Sequence, residues 1–343
     1  MNSLERVKAA LERRVPDRVP YFESVIDEKV MQALLPGCDY YQFNEWVGLD
    51  NVSQNRSSWR RDNVEFIDAE RGLFRDKWGV IRALGPEVVP APVEGPIKRP
   101  EDLKTLTPPD PEAPDVLGHL PELVARYKGK KAISVICRDA FFEAAFLRGT
   151  AQFLMDMVDN LRLAHELIEI TLSYNIRVIE RQVAAGADVV ILGDDYADKH
   201  STLMSPAHFK QFILPGLKRC VDAAHQAGAY VIKHTDGNIM GIIDMIIDTG
   251  IDALNPLEPQ AGMDIALVKQ RYGNRVALVG NIDCGYLLCQ APVEEVRRVT
   301  RWTLEVASRG GGFMLSSSNS IHSSVRPENY MAMIETLRQW NGD

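Results

Sequence analysis

From about residue 131 onwards the chain repeats one pattern six times, a short β-branched apolar run followed by a longer amphipathic stretch with helical spacing. That alternation reads as successive βα units, whose crossovers bring the strands side by side in parallel. The runs fall at residues 132–136, 188–192, 229–232, 252–254, 276–279 and 312–315. Helix starts are marked by Ser205-Pro206, Ala291-Pro292 and Arg326-Pro327, where proline occupies a first-turn position whose N–H has no intrahelical use. Gly186, Gly228, Gly250 and Gly273 then punctuate helix ends before the next run. After Pro292, the residues Val296, Val299, Thr303, Val306 and Ala307 fall on one face and Arg297, Arg298, Arg301 and Glu305 on the other, the pattern of a helix covering a sheet.

Six parallel strands do not close a ring. Residues 18–22 and 49–52 offer two more, and eight strands predict a (β/α)8 TIM barrel. Residues 1–343 then form a single domain, within the length such barrels reach. A proline-rich stretch at about 59–117 breaks the pattern, with prolines from Pro86 to Pro114, and is expected to be an insertion beside the barrel. Inside it, Leu73-Phe74-Arg75 and Trp78-Gly79-Val80-Ile81-Arg82 look strand-like.

Charge and composition remove several classes of function. A net charge of -8 without a basic, aromatic-interleaved stripe disfavours nucleic acid and anionic membrane surfaces. The first residues are charged and amphipathic, and no apolar run reaches bilayer length, which predicts a cytoplasmic protein. The five cysteines lack framework spacing, as expected of reduced thiols.

In a βα barrel the chemistry lies where the chain leaves the C-terminal ends of the strands. The residues following the apolar runs are strongly polar: Cys137-Arg138-Asp139 with Glu143 beyond, Gly193-Asp194-Asp195-Tyr196, Lys233-His234-Thr235-Asp236-Gly237-Asn238, Asn255-Pro256-Leu257-Glu258, Gly280-Asn281-Ile282-Asp283-Cys284, and Ser316-Ser317-Ser318-Asn319. Any single Asp among these can be a helix N-cap. Asp194 and Asp195 are adjacent, and their mutual repulsion asks that at least one face a cation, Arg138 or a substrate donor. His234-x-Asp236 is sharper, because two-residue spacing at a strand end puts both side chains on one side, where they can share an ion or simply hydrogen bond. Catalytic zinc would need a third protein ligand and an open position.

The ordered set Pro16-Asp17-Arg18-Val19-Pro20, Gly193-Asp194-Asp195, Ser205-Pro206, His234-Thr235-Asp236-Gly237-Asn238, Asn255-Pro256-Leu257-Glu258, Gly280-Asn281-Ile282-Asp283, Gly311-Gly312-Phe313 and Pro327-Glu328-Asn329 resembles the uroporphyrinogen decarboxylase superfamily over nearly the whole chain. The resemblance implies a (β/α)8 barrel and one of two main activities, decarboxylation in haem synthesis or methyl exchange with a corrinoid protein. The family's decarboxylases carry an arginine-rich Met-Arg-Gln-Ala-Gly-Arg segment after the first strand and a catalytic Asp after the second. This chain has Tyr21-Phe22-Glu23-Ser24-Val25-Ile26-Asp27 and Asn51-Val52-Ser53-Gln54-Asn55 there. The methyltransferases that form methyl-coenzyme M hold zinc with His-x-Cys and a second Cys, where this chain has His234-x-Asp236 and Ser316-Ser317-Ser318-Asn319. A harder N/O donor set suits Lewis-acid activation of an oxygen leaving group better than thiolate chemistry.

The resemblance therefore implies the methyltransferase component of an O-demethylase system, moving methyl from a methoxylated aromatic compound to a corrinoid supplied by a partner protein. Other methyl donors or acceptors (an amine, a betaine, a thiol), a decarboxylase of a smaller acid and a non-catalytic corrinoid-binding barrel are the alternatives. Zinc is expected on His234 and Asp236, with Cys284 as third ligand and Glu143, Glu258 or Asp283 in its stead. Asp194, Asp195 and Glu143 are expected in catalysis, while Arg138, Asn255, Glu258, Asn281, Asp283 and Asn319 line the substrate or corrinoid pocket. A small methylated substrate and a corrinoid protein are the expected partners, with a homodimer left open.

Overall fold

The computed structural model describes residues 1–54, 64–85 and 89–342. Asn55, Trp59 and Pro86 lie outside the described residues. The strands in chain order are β1 (Asn51–Gln54), β2 (Phe66–Asp68), β3 (Leu73–Arg75), β4 (Ile81–Ala83), β5 (Ala91–Glu94), β6 (Ala132–Cys137), β7 (Val189–Leu192), β8 (Tyr230–His234), β9 (Ala253–Asn255), β10 (Ala277–Ile282) and β11 (Phe313–Ser317). A parallel sheet runs β1-β6-β7-β8-β9-β10-β11, and the helices between its strands pack on its outer surface.

The eighth position is filled by residues 20–22, which bridge rather than form a full ladder. Phe22 N donates to Leu315 O at 2.9 Å and Leu315 N to Pro20 O at 2.9 Å on one side, while Asp50 N donates to Tyr21 O at 2.8 Å on the other. The ring thus closes between β11 and β1 as the sequence predicts, but through three residues whose backbone contacts are few. The joint is reinforced by a side chain: the Asp50 carboxylate accepts from Tyr21 N at 2.9 Å and from Arg6 Nη1 at 2.6 Å, with Arg6 and Asp50 both buried.

Arg6 belongs to the helix Ser3–Leu11, started by an Asn2 cap whose partner Glu5 completes a capping box. The inner faces of the strands meet this helix at the bottom of the barrel, where Val7, Ala10 and Leu11 pack with Phe22, Ala132, Val189, Ile191, Ile232, Ala253, Ala277, Val279 and Met314. Small residues on β6, β9 and β10 leave room for this plug. The alternate residues Val190, Leu192, Val231, Leu254, Leu278 and Leu315 face outward into the larger core beneath the helices. The period of two therefore assigns each strand residue to barrel interior or helix layer.

Within the proline-rich stretch, β2-β3-β4-β5 form an antiparallel sheet. β3 lies where the sequence puts it, whereas the next strand begins at Ile81 because Asp76 turns the chain by accepting from Trp78 N, Val80 N and Arg82 Nε. This sheet is tied to the barrel at Gly95, where a Cβ would fall 2.2 Å from Leu147 O, and by Ile97 N donating to Leu147 O at 3.0 Å. Among the described residues no helix is long and apolar enough to cross a membrane.

Losing the Asp50 carboxylate leaves the buried Tyr21 N–H without its acceptor, while Arg6 keeps Asp17, whose Oδ1 accepts from Nε at 2.8 Å, so the cost is that of an unsatisfied buried donor, about 1–3 kcal/mol. Asp50→Ala should lower stability by that amount in urea unfolding, whereas Asp50→Asn, which still accepts from Tyr21 N, should lose clearly less. Equal losses in the two variants would remove the hydrogen bond to the closing segment from the account.

Candidate functional site

The inward alternation continues past the apolar residues into the mouth. Ile232 leads to His234, Ala253 to Asn255, Val279 to Asn281 and Met314 to Ser316, so these polar side chains are strand residues rather than loop residues. By the same step Ile191 leads past Gly193 to Asp195. The imidazole and the two carboxylates of Asp195, His234 and Asp236 offer ligand atoms all within 4.8 Å of one another. His234 Nε2 lies 3.5 Å from Asp236 Oδ1 and 3.9 Å from Asp195 Oδ1.

The surroundings orient each member. Asn255 donates Nδ2 to Val279 O at 3.0 Å, which turns its Oδ1 to His234 Nδ1 at 2.6 Å and leaves Nε2 facing the carboxylates. Asp195 Oδ1 accepts from Asp236 N at 2.9 Å, and Asp236 Oδ2 accepts from Asn319 Nδ2. Asp236 Oδ1 is buried and accepts nothing. Burial pushes the Asp236 carboxyl up to about 7, with the His234 ring opposing and the Asp195 and Glu258 carboxylates adding to the rise. A ring nitrogen and two carboxylate oxygens, the Asp236 Oδ1 among them without a hydrogen-bond donor, fit a divalent cation of the zinc class, with coordination positions left open. The turn beyond is tight: Gly237 has φ 84°, its N–H donates to Glu258 Oε2 at 3.0 Å, and a Cβ there would lie 2.6 Å from Ala197 C.

Of the residues expected to supply the third ligand, none joins this cluster among the described residues; Asp195, expected in catalysis, takes that place. Asp283 is a helix cap, accepting from Gly285, Tyr286 and Leu287 N–H at 2.8–2.9 Å. Cys284 is buried beside Ser318, and burial pushes its thiol up to about 12. Glu258 holds the Gly237 turn, as above. Glu143 sits in the first turn of the helix Phe142–Arg148 on the side of the antiparallel sheet, its Oε2 unpartnered and its carboxyl raised by burial. Asn281 donates to Leu257 O at 3.0 Å.

Asp194 and Asp195 point to opposite faces, which relieves the repulsion their adjacency suggests. Asp194 is buried outside the barrel, its Oδ2 accepting from Phe141 N and Phe142 N at 3.0 Å and Asp139 N at 3.3 Å. Burial and the neighbouring Asp139 push its carboxyl up to about 8. On the same face Lys233, fully buried, donates to Asp139 Oδ2 at 2.7 Å and Asp194 O at 2.8 Å, and Tyr196 donates to Asp139 Oδ1 at 2.7 Å. This network ties the exits of β6, β7 and β8 together directly behind the cluster. A lysine immediately before the mouth histidine is its only signal in the sequence.

Glu23 stands where the resembling family's decarboxylases carry a basic segment. It is buried at the joint, accepting from Ser317 N at 2.7 Å, Ser317 Oγ at 2.9 Å and Ser316 Oγ at 3.3 Å. A cavity of about 350 Å³ lies beside the cluster rather than over it. It opens between the exits of β9 and β10 and the helix Val293–Ala307, with Met263, Ile265, Tyr286 and Trp302 in its wall. The cluster carries the donor chemistry, and so defines the site.

Burial raises the Glu23 carboxyl from its ordinary 4.5 to about 8, against the hydrogen bonds from Ser317 and Ser316. The folded chain then keeps a proton that the unfolded chain releases, so the contribution of Glu23 is full below 4.5 and lost as pH rises through 8. Relative to Glu23→Gln, the wild type should lose about 2–4 kcal/mol across this window, read from urea midpoints. A constant difference between acid and alkaline pH would contradict it.

Residues 72–340 match the family described as uroporphyrinogen decarboxylase (URO-D). The chain is similar to the methylcobamide:CoM methyltransferase MtaA of Methanosarcina barkeri, 27% identical over 191 residues covering 56% of this chain and 53% of that protein. It is also similar to the uroporphyrinogen decarboxylase of Psychromonas ingrahamii, 25% identical over 283 residues covering 78% of this chain and 77% of that one. The match thus spans about half the length of the first relative and about three quarters of the second. A methyltransferase from Methanosarcina mazei shares the fold, with a TM-score of 0.75 over 99% of both chains at 20% identity. With the family match covering most of the barrel, the chain belongs to the uroporphyrinogen decarboxylase family.

Proposed function

We propose that the protein is a cytoplasmic methyltransferase that moves a methyl group from a methoxylated aromatic compound to a corrinoid carried by a partner protein. The observation that carries this reading is the Asp195, His234 and Asp236 cluster, with the buried, unpartnered Oδ1 of Asp236. The likeness to a protein named methylcobamide:CoM methyltransferase supports it. The acidic mouth, with Asp195, Asp236 and Glu258 close together, is a poor receptacle for a polycarboxylate, which weighs against the decarboxylase activity of other relatives.

Zinc held by Asp195, His234 and Asp236 would supply Lewis-acid stabilisation of the negative charge that develops on the departing oxygen. The chain's own residues prepare the place. Asn255 fixes the imidazole tautomer and presents Nε2; Asn319 and the Asp236 N–H hold the two carboxylates; Lys233 and Asp139 keep three strand exits rigid behind them.

Purified protein should bind zinc stoichiometrically by metal analysis, and His234→Ala should lose it. Asn255→Ala, which frees the ring without removing a ligand, should weaken zinc affinity by about 10–100-fold. With a cob(I)alamin carrier and a panel of methoxyarenes, the wild type should produce methyl-cobalt absorbance and His234→Ala should not. Absence of that absorbance with every methoxyarene would overturn the methyl-ether reading, and absence of zinc from every preparation would overturn the Lewis-acid part.

A further inference from the structure

Arg138 leaves the end of β6 on the inward face, two residues after Ile136, which packs on the inner core. Its guanidinium is held on two sides. Nη1 donates to Gly193 O, and the guanidinium carbon lies 5.0 Å from the centroid of the Phe142 ring, itself stacked on Phe146 at 4.9 Å. Among the described residues the one carboxylate in ion-pair contact is Asp194, 3.7 Å from Nη1 and beyond hydrogen-bond reach. Asp194 spends its Oδ2 on three backbone N–H groups, and Oδ1, the oxygen nearer Arg138, is buried and accepts no hydrogen bond. Nε and Nη2 donate to no described residue, although the side chain is only 26% exposed. With Nη1 held by Gly193 O, the Nε and Nη2 edge is fixed in orientation and has no acceptor among the described residues, the geometry that takes a carboxylate by two parallel hydrogen bonds.

We propose that Arg138 anchors a carboxylate of the methyl-bearing substrate, so that the compound is a methoxylated aromatic acid rather than a neutral ether. The inference rests on the methyl-transfer reading for the word methoxylated, and on the geometry of Arg138 for the word acid. β6 and β8 are separated by β7 alone, so Arg138 and His234 leave the same sector of the barrel mouth.

Isothermal titration of the full chain with benzoate, 4-methoxybenzoate and the neutral 4-methoxybenzyl alcohol tests this. Both acids should bind, and the alcohol should bind at least about tenfold more weakly. Arg138→Gln should weaken both acids by about ten- to a hundredfold and leave the alcohol unchanged; Arg138→Lys, which keeps the charge and loses the fork, should fall between. Near-UV circular dichroism confirms that the variants are folded, and if Arg138→Gln does not fold, the wild type and Arg138→Lys decide. The proposal fails if the alcohol binds as tightly as the acids, if neither acid binds, or if Arg138→Gln binds the acids within twofold of wild type. Benzoate has no methyl group to give, so its binding tests the anchor apart from the transfer. Methyl transfer from neutral and acidic ethers alike would sink the anchor alone, and acid binding without any methyl transfer would sink the transfer reading alone.

Discussion

A parallel barrel has to bring its first strand back to its last, and in this chain that closure hangs on one carboxylate. Asp50 reaches the closing segment through Tyr21 N and the plug helix through Arg6, so the ring joint and the floor are fixed by the same group. The segment at residues 20–22 is too short to secure itself by a ladder of backbone bonds, and the helix Ser3–Leu11 fills a floor that small strand residues leave open. Everything at the mouth depends on this. If the joint slipped by one residue, the inner and outer faces of the neighbouring strand would exchange.

That exchange matters because each strand end is used on both faces. On β8, His234 points into the mouth while Lys233 pairs with Asp139 behind it. After β7, Asp195 joins His234 and Asp236, while Asp194 gathers the backbone of the helix Phe142–Arg148. The outward groups are buried and tied to one another and to the backbone, which makes them a frame; the inward groups gather ligand atoms at the mouth, which makes them a site. Two aspartates adjacent in sequence therefore do different physical work because the strand before them has a period of two.

The βα alternation from residue 131 was legible because apolar period and helix punctuation are local properties. The ends of the strands were not: β8, β9, β10 and β11 run on through His234, Asn255, Ile282 and Ser317, since backbone pairing continues where the side chains turn polar. A one-dimensional pattern cannot separate a polar strand end from a loop. His234 and Asp236 were legible as a pair from their spacing, but Asp195 as their companion required the register between β7 and β8, which is a three-dimensional quantity. Cys284, or Asp283 in its stead, fitted a third ligand by sequence; Asp283 is consumed by backbone N–H groups, and Cys284 is buried against Ser318 with its thiol pushed up by burial. Glu23 had no local signal, because its burial comes from serines nearly 300 residues away.

The turn that carries Asp236 is built without its side chain. Gly237 supplies the backbone angle, Glu258 receives the Gly237 N–H, and Asn238 N donates to Asp198 O at 2.7 Å. The residue at 236 can therefore be exchanged while the path of the chain stays as it is. The hardness of this one ligand is then separable from the path of the backbone, and oxygen or sulfur can stand at that point without rebuilding the barrel.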